Sequence, residues 1–339
     1  MVNIKGYISA HFTKTFLTIF LPFFLIISLI YLIKIASLTA QIQISFQELF
    51  ELYSYTIPDI IFYTLPLSFV AALANVLMRL SQDNELIALY ALGLKAESVL
   101  KGFLILGGLF SLLLLTVSFL AMPLSKQYFQ SFKTSKQAEA KLNILPGKLG
   151  QKFGDYYVYV KEGNENIFQT IVIYNRSKKD EEQFFASQSG EILKENNQTS
   201  LLLRNGYGYT YQGNKLQQAE YQTLQAYDTS EQKTFEYRNI IDYWAQAQTD
   251  IRMMHRVLFF LFVSLIPLLA VYPVAAFTMI NPRYDTNRSF LVIFITALFL
   301  YLSASSLEKW GNLWILCIVL LMILMTGKWI FNKRVGEYF

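Results

Sequence analysis

Six stretches of the chain carry no Asp, Glu, Lys or Arg: residues 15–33, 60–78, 102–125, 257–282, 289–307 and 310–327, of 19, 19, 24, 26, 19 and 18 residues. A helix rises about 1.5 Å per residue, so a hydrocarbon core about 30 Å thick takes about 20 apolar residues to cross. Backbone N–H and C=O groups cannot stay unpaired in that core, which leaves helices and closed barrels as the spanning structures. Uninterrupted apolar runs of this length fit helices, not alternating barrel strands. They predict six transmembrane helices, three on each side of a polar middle. The first run, at 19 residues, exceeds the roughly 7–15 of a signal-peptide core and reads as an anchor.

Charge is distributed accordingly. Of the 53 charged side chains, 32 lie between Lys126 and Arg256, a segment with net charge +2 out of the total +5. If the N-terminus is cytoplasmic, Lys5, Lys14, Arg79, Lys95, Lys101, Arg283, Arg288, Lys328, Lys333 and Arg334 are all inside, against Lys34 and Lys309 in short outer loops. This positive-inside bias sets the orientation, puts both termini inside and the polar block outside. It also accounts for the basic balance without nucleic acid. Pro58, Pro66, Pro267 and Pro273 lie in or beside the second and fourth spans, where each removes a backbone donor.

Within the polar block the period changes to two. Asp155–Val160, Ile167–Tyr174 and Ser200–Arg204 are rich in aromatic, β-branched and aliphatic residues, and Glu162-Gly163-Asn164 and Asn205-Gly206 mark turns. Short strands without intervening helices predict an all-β domain of about 100 residues, a sandwich or jelly roll. Its sheets either close on each other or splay to admit acyl chains. The organisation expected is residues 1–125 with the first three spans, 126–250 as the outer β domain, and 251–339 with the last three.

Catalytic signatures are absent from the sequence: no GxxxxGK[ST], no HExxH, no CxxC and no GxSxG. Cys317, His11 and His255 have no partners at metal-ligand spacing. The charge-free spans contain no carboxylate for a proton relay, which weakens a stand-alone secondary transporter. The expectation is a protein that is not an enzyme and uses neither metal nor cofactor.

One compact constellation lies between the second and third spans, Ser81-Gln82-Asp83-Asn84-Glu85-Leu86-Ile87-Ala88-Leu89-Tyr90-Ala91-Leu92-Gly93. Ser81 or Asp83 suits a helix cap, Glu85 suits the first turn, where the helix dipole favours an acid, and Gly93 suits the exit. Leu86, Leu89 or Tyr90, and Gly93 or Leu94 recur at helical spacing, so a short amphipathic helix is expected over about 81–94. Its apolar stripe needs a groove, from headgroups or from a partner protein. Ile4, Tyr7, Ile8, His11 and Phe12, with Lys5 and Lys14, read as an interfacial helix leading into the first span. Ser303, Ser305 and Ser306 put small polar groups late in the fifth span, where helices can approach closely.

Three spans, an outer β domain, three more spans and the run Ser81-x-x-Asn84-Glu85-Leu86-x-Ala88-Leu89-x-Ala91-x-Gly93 resemble the LptF/LptG (YjgP/YjgQ) permeases of the lipopolysaccharide exporter, over nearly the whole chain. The resemblance implies an inner-membrane half-transporter of a Gram-negative bacterium, with six helices and a periplasmic β-jelly roll between helices 3 and 4. Its implied partners are a second LptF/LptG-type permease, an LptB-like ATPase dimer, an LptC-like periplasmic protein and an LptA-like bridge that receives the lipopolysaccharide. It makes 81–94 the coupling helix, with Glu85, Leu86, Leu89, Tyr90 and Gly93 as the ATPase-coupling residues. Asn281-Pro282-Arg283 resembles LptF more than LptG. Lys34, at the outer end of the first span, resembles a basic residue of the family placed to meet lipid phosphate, and a lysine snorkelling to headgroups has the same position. The alternative class is an envelope scaffold whose β domain binds a periplasmic protein while the helices anchor it.

Overall fold

The computed structural model describes residues 4–39, 44–142, 146–153, 156–164, 167–178, 181–195, 198–212, 215–227, 236–279 and 288–336. The Asn281-Pro282-Arg283 run lies outside them. Among the described residues, six helical segments are long and apolar enough to cross a membrane: Gly6–Ser37, Ile57–Gln82, Ala96–Lys136, Ile251–Thr278, Ser289–Trp310 and Leu313–Gly336. The elements group into two compact units, one helical and one built on the sheet.

The helical unit begins with α1 (Ile4–Thr39), a single helix that fuses the expected interfacial segment to the first span. A short α2 (Phe46–Ser54) follows, started by a capping box in which Ser45 and Glu48 satisfy each other's backbone donors. Then come α3 (Ile57–Gln82), α4 (Glu85–Ala91), α5 (Ala96–Thr116) and, through a π-helical turn at Val117–Ala121, α6 (Met122–Leu142), whose residues from Gln130 on group with the sheet unit. After the sheet the chain forms α7 (Ile240–Ala245), α8 (Ile251–Leu269), α9 (Val271–Thr278), α10 (Ser289–Trp310) and α11 (Leu313–Phe331). Pro58 occupies the first turn of α3, where its missing donor costs nothing. The break between α8 and α9 falls at Ala270, three residues before Pro273.

The helices run past the charge-free windows, because side chains near the ends reach out of the hydrocarbon. As a result the spans are not free of acids: α3 takes in Asp59 in its first turn and α10 takes in Glu308 in its last. The carboxylate-free spans expected from charge counting are corrected on this point.

Burial ranks the helices. In the most apolar window of α3, 78% of residues are buried within the chain, against 11% for α1 and 17% for α11, so α3 is interior and the others present long apolar faces outward. Phe62, Phe69, Leu73 and Leu77 of α3 form the centre of the core. The seam between α5 and α8 is made of small residues. A Cβ on Gly107 would stand 2.9 Å from the Pro267 carbonyl oxygen, Ser111 Oγ accepts from Leu268 N at 3.3 Å, and the Ser118 and Ser264 hydroxyls are 3.1 Å apart. Helices in lipid associate by such close backbone approach, since burying apolar surface gains little there. At the π-helical turn the Phe119 carbonyl accepts from the Trp244 indole N–H of α7 at 2.9 Å.

The sheet unit is all-β and inserted between the third and fourth spans, as expected. Strands β1 (Gln151–Phe153), β2 (Tyr156–Asn164), β3 (Ile167–Lys178), β4 (Glu181–Glu195), β5 (Gln198–Gln212) and β6 (Lys215–Tyr227) form one antiparallel sheet in sequence order. Two residues separate each strand from the next. Such a connection suffices for a hairpin, while a Greek-key return to a second sheet needs a longer one.

This single sheet nevertheless gathers a core on one side. Strict alternation of inward residues breaks at the same level across the strands. The buried positions step by three at Phe168 to Ile171, Ser187 to Gly190 and Leu203 to Gly206, and the intervening pairs Gln169-Thr170 and Arg204-Asn205 are exposed. Ile171, Ser187 and Gly206 are successive cross-strand partners, so the breaks line up as a transverse crease. Thr170 (φ 52) and Asn205 (φ 49) supply the left-handed backbone that switches the phase. Val158, Ile171 and Ile173 on one side of the crease then share a core with Leu201, Leu203 and Ala226 on the other.

Candidate functional site

The helix expected over 81–94 is α4, and its surroundings are set by how α3 ends. Ser81 is still helical, and its hydroxyl donates to Leu77 O at 3.0 Å and to Thr278 O at 2.8 Å, joining the ends of α3 and α9. Asp83 pairs with Arg79 at 3.3 Å. Neither caps α4. Asn84 stands at the cap position with φ 59 and no side-chain cap bond, so the expected Ser81 or Asp83 cap is corrected: a left-handed residue turns the chain, and Asn tolerates that conformation.

The exit is as expected. Gly93 has φ 82, its N–H donates to Tyr90 O at 2.9 Å, and Leu94 N–H donates to Leu89 O at 3.2 Å. This is a Schellman ending, which needs a left-handed residue after the helix. A Cβ there would meet nothing within 4 Å, so backbone conformation alone calls for glycine.

Leu86 is 2% exposed, and Leu89 and Tyr90 pack against the core of the helical unit. The groove for the apolar stripe is therefore the chain's own bundle, and the expectation that headgroups or a partner supply it is corrected. Burial pushes the Tyr90 phenol pKa up. Glu85 is half-buried, Ala88 and Ala91 are exposed, and Leu92 is 77% exposed. Tyr7 of α1 donates to both Glu85 oxygens, at 3.1 Å to Oε1 and 3.0 Å to Oε2.

The opposite end of the same helices carries a second group of charges. Lys34 lies late in α1, exposed, with Nζ 5.8 Å from the Tyr31 ring centroid. Asp59 sits within the electrostatic range of Lys126 and Lys34, and its Oδ1 is buried with no hydrogen-bond partner. Lys126 Nζ lies 5.3 Å over the Phe260 ring. Charge counting treats Asp59 and Lys126 only as the limits of apolar windows, and their meeting has no signal in the sequence. The Tyr7–Glu85 pair is equally silent, with the partners 78 positions apart in the chain.

Ser303 and Ser306, on α10, line a groove of about 380 Å³ with Phe299, Trp310, Ile315 and Met322. Their hydroxyls donate to Phe299 O and Leu302 O of their own helix, both at 2.8 Å, so both serines are satisfied within α10 and the wall is mainly apolar. Among the described residues no group of three or more His, Cys, Asp and Glu is placed to hold a metal. The arrangement presents an acid on a short helix seated on the bundle at one end and, at the other, cations near an acid with one buried oxygen.

A family model described as the lipopolysaccharide export system permease LptF/LptG matches residues 6–331. No curated protein matches the chain.

Proposed function

Because this chain belongs to the LptF/LptG family of lipopolysaccharide export permeases, we propose that it is one half of an ATP-driven exporter in the inner membrane of a Gram-negative bacterium. A second LptF/LptG-type chain completes the lipid path, and an LptB-like ATPase dimer docks on the cytoplasmic α4. The lipid leaves through an LptC-like periplasmic protein and an LptA-like bridge. The sheet unit is the periplasmic domain, and the Asn281-Pro282-Arg283 run favours the LptF side of the family.

The observation that carries this reading is the construction of α4. Its apolar stripe is seated on the bundle, which immobilises the helix, while Glu85, Ala88, Ala91 and Leu92 remain on the accessible side. Leu86, Leu89 and Tyr90 then act as the seat and Gly93 as the stop, and Glu85 is the group that meets the ATPase. A rigid acid-bearing helix passes on the motion of a nucleotide-driven partner, which a loosely attached one would absorb. The exposed apolar faces of α1, α10 and α11 suit lipid and a second permease. Lys34, at the far end of α1, is placed for a lipid phosphate, where low local water strengthens the attraction.

The test is purification of the full chain from native membranes, with mass spectrometry of bound protein and lipid. Copurification with an ATPase and a second permease, and a several-fold lower lipid-stimulated ATPase rate for Glu85→Ala, are expected. Recovery without any ATPase, together with full function after scrambling residues 82–93, would replace the transporter by a membrane-anchored scaffold.

A further inference from the structure

Glu85 is held from outside its own helix. The Tyr7 hydroxyl is nearly equidistant from the two carboxylate oxygens, at 3.0 and 3.1 Å, so it sits on the bisector of the group. A carboxylate has about four lone-pair sites, and this geometry engages the inner pair and leaves the outer ones open. Arg79, the cation nearest in the chain, pairs with Asp83 at 3.3 Å.

Tyr7 is 43% exposed, but the helix that carries it is anchored beside it. Its ring lies 4.6 Å from that of His11, and the adjacent Ile8 and Phe12 are 5% and 1% exposed. The Phe12 ring packs edge-on against Phe69 at 5.1 Å and Phe103 at 6.0 Å, which fixes how α1 is rotated at this end. That helix continues unbroken to Thr39 and carries Lys34 near its far end.

From these contacts we infer that Tyr7 is a positioning residue for the coupling carboxylate: it pre-orders Glu85 for a cationic group of the ATPase and ties α4 to α1. Glu has three rotatable side-chain bonds, and a side chain already held in place loses less freedom on docking. The same hydrogen bond makes a displacement of α4 felt by the helix that bears Lys34. This inference rests on the reading of α4 as the ATPase contact.

The experiment uses the intact complex with its ATPase, reconstituted with lipopolysaccharide, and compares Tyr7→Phe, Glu85→Ala and the double variant. Tyr7→Phe removes one oxygen and keeps the ring on His11. A lost hydrogen bond to a charged group that is partly exposed predicts a fall of about threefold to tenfold in lipid-stimulated kcat. The KM for ATP should stay unchanged, because Tyr7 does not touch nucleotide; a shift in KM would count against a positioning role. The double variant should match Glu85→Ala alone. Full activity of Tyr7→Phe beside an impaired Glu85→Ala would overturn the role of Tyr7 only, and so would additive losses in the double variant. Full activity of Glu85→Ala would overturn both this inference and the coupling reading beneath it.

Discussion

Replacing Gly107 by alanine tests what holds the helical unit together. The new Cβ would lie 2.9 Å from the Pro267 carbonyl oxygen and 3.3 Å from Leu268 Cα, both backbone atoms that cannot rotate away. The α5–α8 seam must open by a few tenths of an ångström. A gap of about 0.5 Å already forfeits about a quarter of the dispersion well at each contact along it. It also strains the Ser111 bond to Leu268 N, at 3.3 Å, and the contact between Ser118 and Ser264, at 3.1 Å. Overpacking of this kind costs about 1–3 kcal/mol. Gly→Ala in a helix returns about 1 kcal/mol through propensity, which would mask the effect in a single variant. Gly108 provides the control, since a Cβ there meets nothing within 4 Å while the propensity gain is the same. The two variants should therefore differ by about 1–3 kcal/mol, with Gly108→Ala at or above the parent and Gly107→Ala below Gly108→Ala. Midpoints of SDS-induced unfolding in bilayer discs, read side by side, measure that difference. Equal midpoints would refute the close-approach account of the seam.

Two further outcomes follow from the packing. Trp244→Phe keeps a ring near Phe119 and Phe260 but removes the indole donor 2.9 Å from the Phe119 carbonyl. Leaving that acceptor unpaired costs about 1–3 kcal/mol, so amides of Val117–Ala121 should exchange faster with deuterium, and unchanged protection would count against the contact. In the sheet, Gly206→Ala drives a Cβ onto the Ala186 carbonyl and to 2.6 Å from Tyr221 Oη, whereas Gly208→Ala meets the Phe185 ring edge at 3.0 Å and the Ala219 carbonyl oxygen at an ordinary 3.9 Å. Limited proteolysis of the full chain should open the strand region in the Gly206 variant well before the Gly208 variant; the reverse order would show that the crease is not tightly packed.

The membrane organisation is legible in the sequence because insertion is judged residue by residue: one charge in hydrocarbon is costly wherever it falls, so its absence marks a span. The windows nevertheless misjudge the ends. Asp59 and Glu308 belong to their helices, since a side chain at a terminus escapes a constraint that is strict at the centre. At the candidate site, Glu85 and Gly93 are readable from local rules, an acid in a first turn and a left-handed exit. Leu86, Leu89 and Tyr90 are readable only as a stripe. Periodicity says that a face is apolar and is silent on what covers it, and here the cover is the bundle itself. In the sheet, the strands follow from alternation, and the two-residue connections between them set their order.

The sequence by itself therefore determined six spans, an inserted β domain, the lack of catalytic signatures and the presence of a short acidic helix with a glycine exit. These depend on hydrophobicity, spacing and backbone rules that act over a few neighbouring residues. The tertiary structure decided which face of α4 is free, that Tyr7 grips Glu85, that Asp59 lies among the fields of Lys34 and Lys126, and that β3, β4 and β5 switch phase along one line. Each of these joins residues distant in the chain. Their energies depend on the relative placement of two elements, and no pattern within either element encodes it.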